Sequence, residues 1–217
     1  MKKLFLLMLC VVFVGLLFAQ SGEDFLMSSF NPYTQPGINT LKCAVSFEFN
    51  SDNAQMAMAA QFMPKMLITF TAPDQVKSEM KFSDSVPPMM QQMIKPMLEK
   101  MSFDKMTFVD YAKGLLKLKE DFNIGEALKI SSGYELTLIP KNKKKNKMKS
   151  MILVFDNSKK LVKIKMTNSK NQLSIVNISY KSIRNYTVYD KFTINIINDK
   201  EKMQYAMIYG EYEINNK

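Results

Sequence analysis

The 217-residue chain has no histidine and no tryptophan, and Arg184 is the only arginine among its 30 basic residues. Without histidine it lacks the side chain that most often serves as general base or metal ligand near neutral pH. One guanidinium leaves almost no capacity for bidentate phosphate or base-edge contacts. Cysteine is nearly absent too. Cys10 lies inside an apolar N-terminal run, so Cys43 is the only thiol in the rest of the chain, and no internal disulfide can form there. With no histidine to activate it, Cys43 reads as a buried strand residue. Gly-rich phosphate loops and closely spaced cysteine sets are missing. The acidic residues stand singly, mostly among lysines, and Asp52, Asp74 and Asp156 occupy turns, where aspartate caps backbone. Together these absences argue against an enzyme, against any cofactor or metal, and against nucleic acid as a partner.

What is present begins with an export signal. Met-Lys-Lys precedes Leu4 to Ala19, an uncharged apolar run, and polar sequence starts at Gln20. That run is shorter than the roughly 20 residues of a membrane span. The expectation is a signal peptide over 1–19, cleaved after Ala19, with residues 20–217 forming one domain. The alternative is an uncleaved N-terminal anchor, because Leu17 is large for its place before the cleavage site. Loss of Lys2 and Lys3 with the leader takes the net charge from +10 to +8, a balance that favours anionic surfaces or acidic partners.

Most of the chain alternates as strands do. A first strand runs from Leu41 to Phe49, with Cys43, Val45, Phe47 and Phe49 on one face. Ala54 to Met63, Lys65 to Thr71 and Val76 to Phe82 follow; in the last, Val76, Ser78, Met80 and Phe82 oppose Lys77, Glu79 and Lys81. Further strands are expected at Tyr134 to Leu138, Met148 to Phe155, Leu161 to Thr167, Leu173 to Tyr180, Tyr189 to Ile197 and Met203 to Ile214. The alternation slips between Ile175 and Val176, as a bulge would produce. Glu23 to Phe30 reads as a short helix and Asp104 as the cap of another, with Phe108, Ala112 and Leu115 on its buried stripe; Leu115 to Ala127 stays ambiguous between helix, loop and strand.

The most distinctive stretch is Met89 to Met101. Its apolar residues fall at 89, 90, 93, 94, 97, 98 and 101, one stripe of a helix whose other side carries Gln91, Gln92, Lys95, Glu99 and Lys100. Pro96 sits on the polar side, where water can replace the lost hydrogen bond. Eleven of the 19 methionines lie between Met56 and Met106. Methionine is flexible and polarizable and fixes packing poorly. Such clustering suits an apolar surface that alternately closes on itself and receives flexible chains. The fold class is therefore α+β: a strongly curved antiparallel sheet of about ten or eleven strands, with helices on one face.

Several stretches, in order, resemble the periplasmic outer-membrane lipoprotein carrier family (LolA/LolB-like, outer-membrane lipoprotein-sorting proteins). They are Phe70-Thr71-Ala72-Pro73-Asp74-Gln75-Val76-Lys77, then Leu115-Leu116 with Phe122-Asn123-Ile124, then Tyr134 to Lys141. Met151 to Asp156, Val162 to Met166, the Asn168 to Asn171 turn, Ile175 to Tyr180 and Lys191-Phe192 complete the series, so the likeness spans Leu41 to Ile197. The resemblance implies an unclosed half-barrel with a helical lid over its concave face and an apolar cavity between them that shields acyl chains. In the carrier proper an arginine immediately before the early proline helps latch the lid; Ala72 stands there, so that latch does not carry over.

These readings lead to a non-enzymatic periplasmic carrier, or chaperone, for acyl chains of lipoproteins or another lipid during transfer to the outer membrane. It would act as a monomer and meet inner- and outer-membrane transfer proteins. The alternative is a sensor or interaction module of the same fold that binds a membrane signalling protein. The expected cavity and lid residues are Met58, Phe62, Phe70, Met80, Phe82, Met89, Met93, Ile94, Met97 and Met101. Lys143, Lys144, Lys145 and Lys147, within the lysine run from Lys141 to Lys149, form a solvated hairpin tip or, in the functional alternative, dock to anionic headgroups or an acidic partner.

Overall fold

The computed structural model describes residues 20–50, 62–73, 75–100, 118–142, 148–197 and 202–216. Ten antiparallel strands form one sheet: β1 (Ile38–Asn50), β2 (Lys65–Thr71), β3 (Gln75–Lys81), β4 (Phe122–Ile130), β5 (Gly133–Pro140), β6 (Met148–Phe155), β7 (Leu161–Asn168), β8 (Leu173–Ile183), β9 (Tyr186–Ile197) and β10 (Lys202–Asn216). Their order is β3-β2-β1-β10-β9-β8-β7-β6-β5-β4. Every neighbour but one is also a neighbour in sequence. The exception is β10, which returns to pair with β1 and so joins the N-terminal three strands to the C-terminal run. No ladder among the described residues joins the edge strands β3 and β4, and the sheet is not closed.

One face carries the core. Leu41, Cys43 and Val45 of β1 stand opposite Phe70, Ile68 and Met66 of β2, and the same face continues through Tyr209, Phe192, Ile178, Ile164, Leu153 and Leu136 into a single buried cluster. A twisted sheet of ten strands whose distant strands share one core curls toward that face. The opposite, convex face carries lysines and ion pairs, among them Lys191–Glu48 at 3.2 Å and Lys42–Glu213 at 3.3 Å.

The N-terminal segment closes one rim of the curl. Gln20 bridges Ala127 of the edge strand β4, after which α1 (Gly22–Met27) lies against the concave face. Phe25 is fully buried, its ring 4.9 Å from Tyr134 and 5.0 Å from Phe155. Gly22 is required there: a Cβ would come within 1.9 Å of the Gly125 carbonyl oxygen. The chain continues through a 3-10 turn at Pro32–Thr34, and the Gln35 side chain both donates to and accepts from the backbone of Thr187. A second helix, α2 (Pro88–Lys100), follows β3 at the opposite rim.

Several expectations change in detail. The early helix is α1, ending at Met27, because Ser28 and Ser29 turn their hydroxyls back onto the carbonyls of Phe25 and Leu26. The ambiguous stretch resolves into a helical turn over 118–121 and then β4, whose pairing with β5 slips between Ile124 and Ala127. Between Ile175 and Val176 the register runs unbroken. The irregularity of that hairpin lies at Ser179/Tyr180, where Asp190 is the extra residue in β9. The expected strand from Ala54 and the helix capped by Asp104 lie outside the described residues, apart from Phe62 and Met63.

Candidate functional site

The concave face divides into two zones along the strands. In its middle and toward the rim closed by the N-terminal segment, the side chains are sealed: Leu41, Tyr209, Phe155 and Leu136 are 0% exposed. Toward the other rim, where α2 begins, the same face carries a row of half-buried apolar residues: Phe47 on β1, Tyr205 on β10, Ile196 on β9, and Met166 and Met151 on β7 and β6. The register places these residues side by side. Tyr205 pairs with Ile194, Ile196 with Ser174, Ser174 with Met166, and Met166 with Met151. The row continues past Met63 and Met80 on the β2–β3 side.

The expected lining residues fall in several places. Phe70 is 2% exposed on β2, between Leu41 and Val76. Met80 is half-buried on β3 opposite Met66. Ile94 of α2 packs against the same core cluster, to which Phe70 belongs and against which Met80 also packs. Phe62 and Phe82 flank the β2–β3 hairpin, both half-buried. Met89 differs, being 71% exposed. It stands in the first turn of α2, which is fixed one step earlier by the buried Val86, whose carbonyl accepts from the Gln91 side chain. Met93 and Met97 belong to α2; their side chains, Met58, Met101 and the tip lysines Lys143, Lys144, Lys145 and Lys147 lie outside the described residues. The half-buried row on the C-terminal strands was not among the expected residues.

The electrostatics of the face are those of a dry interior. Burial pushes the Cys43 thiol up from 9.0 to about 12 against the pull of the Lys181 ammonium. Burial likewise raises Tyr205, Tyr209 and Tyr212 above the ordinary tyrosine range. These groups stay neutral at physiological pH. Among the described residues no cluster of three His, Cys, Asp or Glu is placed to hold a metal ion, and no helix is long and apolar enough to cross a membrane.

No family model matches the chain, and no curated protein matches it. Similar solved structures do exist. A DUF1329 family protein from Desulfovibrio piger is 9% identical with a TM-score of 0.48, over 89% of this chain and 92% of that one. A LolA superfamily protein from Nitrosomonas europaea is 8% identical with a TM-score of 0.46, over 92% and 96%. An outer membrane lipoprotein-sorting protein domain from Vibrio parahaemolyticus is 10% identical with a TM-score of 0.37, over 82% and 85%. Two of the three bear the family name that the sequence resembles; the architecture itself rests on this chain's own strand ladder.

Proposed function

We propose that the protein is a non-enzymatic carrier that shields acyl chains, of lipoproteins or of another lipid, on its concave face beneath α2. One observation carries the reading: the apolar face is sealed in its middle but leaves Phe47, Tyr205, Ile196, Met166 and Met151 half-buried toward the rim where α2 begins. Contiguous apolar surface that a protein does not fill from its own core marks a place for an apolar ligand. The methionine-rich α2, with Ile94 on the core, supplies a cover whose packing is easily exchanged. The resemblance of Phe70 to Lys77 and of the C-terminal strands to lipoprotein carriers supports the same cargo, and the apolar leader supports action in the periplasm after cleavage at Ala19.

The energetics favour a movable cover. Burial of each CH₂ gains about 0.8 kcal/mol, so several fully sheltered chains would be held too tightly to release. Closure of α2 onto the empty face competes with the ligand and offsets part of that gain. Hydrogen exchange on delipidated protein tests this: α2 amides exchange faster once a fatty-acyl ligand is bound. Equal or slower exchange contradicts the opening of α2.

A further inference from the structure

Among the described residues, the sealed part of the concave face contains one buried side-chain polar atom without a hydrogen-bond partner. Tyr209 is 0% exposed, and its hydroxyl has no hydrogen-bond partner among the described residues. Its ring packs 5.1 Å from Phe192 and 5.6 Å from Tyr189. The neighbouring tyrosines show the usual arrangement. Tyr180 donates to the Leu161 carbonyl at 3.0 Å and Tyr212 to the Tyr189 carbonyl at 2.6 Å. An unsatisfied buried hydroxyl destabilises a fold, whereas phenylalanine would fill the same space without that penalty.

We propose that the Tyr209 hydroxyl is a binding group: a single hydrogen-bond donor, mid-face, for the ester or amide carbonyl of an acyl ligand. The chemistry narrows the ligand. A neutral carbonyl only accepts, so one donor satisfies it. A carboxylate, by contrast, would bring an uncompensated charge into the apolar core, whereas a carbonyl takes the hydroxyl proton without adding a charge or a further donor. Tyr209 stands opposite Val45, below the half-buried row of Phe47 and Tyr205, and because it is sealed in the empty protein an acyl carbonyl reaches its hydroxyl only as that row parts. A carbonyl held there fixes how far the chain slides along the face, which a purely apolar trough does not.

The inference rests on the acyl-carrier reading, and the experiment separates the two. Delipidated full-length mature protein is titrated with methyl laurate and with an alkane of equal length, each competing against a bound polarity-sensitive fluorophore. The wild type binds the ester about tenfold more tightly than the alkane. Tyr209→Phe binds both alike, and melts no lower than the wild type. Infrared spectra of ¹³C-carbonyl methyl laurate give an independent readout: its carbonyl band shifts to lower wavenumber in the wild type and stays at its alkane-solution position in Tyr209→Phe. Equal affinities in the wild type, or an unshifted band, overturn the role of Tyr209 and leave the carrier reading standing. Failure of both ligands to displace the fluorophore overturns the carrier reading itself.

Discussion

At the residue scale, the interior is dominated by groups that must remain neutral, and this sets its response to alkali. Cys43 is held up to about 12, and Tyr205, Tyr209 and Tyr212 are raised as well, all chiefly by burial. In the unfolded chain these groups lose their protons near pH 9 to 10. Above that range the unfolded state therefore binds fewer protons than the folded one. Stability is fully present below pH 9 and declines as pH rises toward 12, by up to about 1.4 kcal/mol per pH unit for each of Cys43, Tyr209 and Tyr212 and by less for the half-buried Tyr205, which solvent screens. Urea unfolding at pH 8 to 11 checks the slope, and a midpoint that does not fall contradicts it. Gly22 provides a steric counterpart. A Cβ there would run into the Gly125 carbonyl oxygen, so Gly22→Ala loosens α1, costs about 1–3 kcal/mol, and raises binding of apolar dyes to the exposed face. The sequence indicated the burial of Cys43 through its alternation with Val45 and Phe47. Nothing in it singled out Tyr209, because a tyrosine in a strand carries no sign of whether its hydroxyl finds a partner.

Among the elements, α1 lies against the concave face, whereas for α2 the contact described is that of Ile94 with the core. Phe25 inserts between Tyr134 and Phe155 and is fully buried, so Phe25→Ala costs about 3–5 kcal/mol in urea unfolding. On α2, Met89 is 71% exposed while Ile94 touches the core. Ile94→Ala therefore costs less than Phe25→Ala and speeds exchange of the α2 amides. Alternation made the faces of β1 and β3 readable: Val76 and Met80 share the core side as expected, and Lys77, Glu79 and Lys81 are exposed. β4 was unreadable because its pairing slips between Ile124 and Ala127, which breaks the period. The apparent slip at Ile175 had another cause: aliphatic side chains occupy both faces of β8, and Ile175 is half-buried on the convex side. For the β5–β6 connection, the proposed docking role of Lys143, Lys144, Lys145 and Lys147 predicts salt-dependent binding to anionic liposomes. Replacement of these lysines with serine abolishes that binding; unchanged binding contradicts the role.

For the whole molecule, the determining feature is a sheet of ten strands that curls without closing and buries one core from β2 to β4. The antiparallel class, the one-sided core and nine of the ten described strands were legible from short turns and period-two patterns; β4 was not. The location of the unsealed row was not. Its members come from five strands as distant as Phe47 and Tyr205, and only the return of β10 to β1 sets those strands in one sheet. Met166→Glu places a charge in that row at a half-buried position, so it weakens acyl binding about tenfold or more while the fold persists, as circular dichroism and lipid titration would show. The most direct test of the central claim is native mass spectrometry of freshly purified mature protein. The account predicts a population carrying lipid mass, which disappears on delipidation and returns on incubation with acyl lipid. A single bare-protein mass under all three conditions would contradict it.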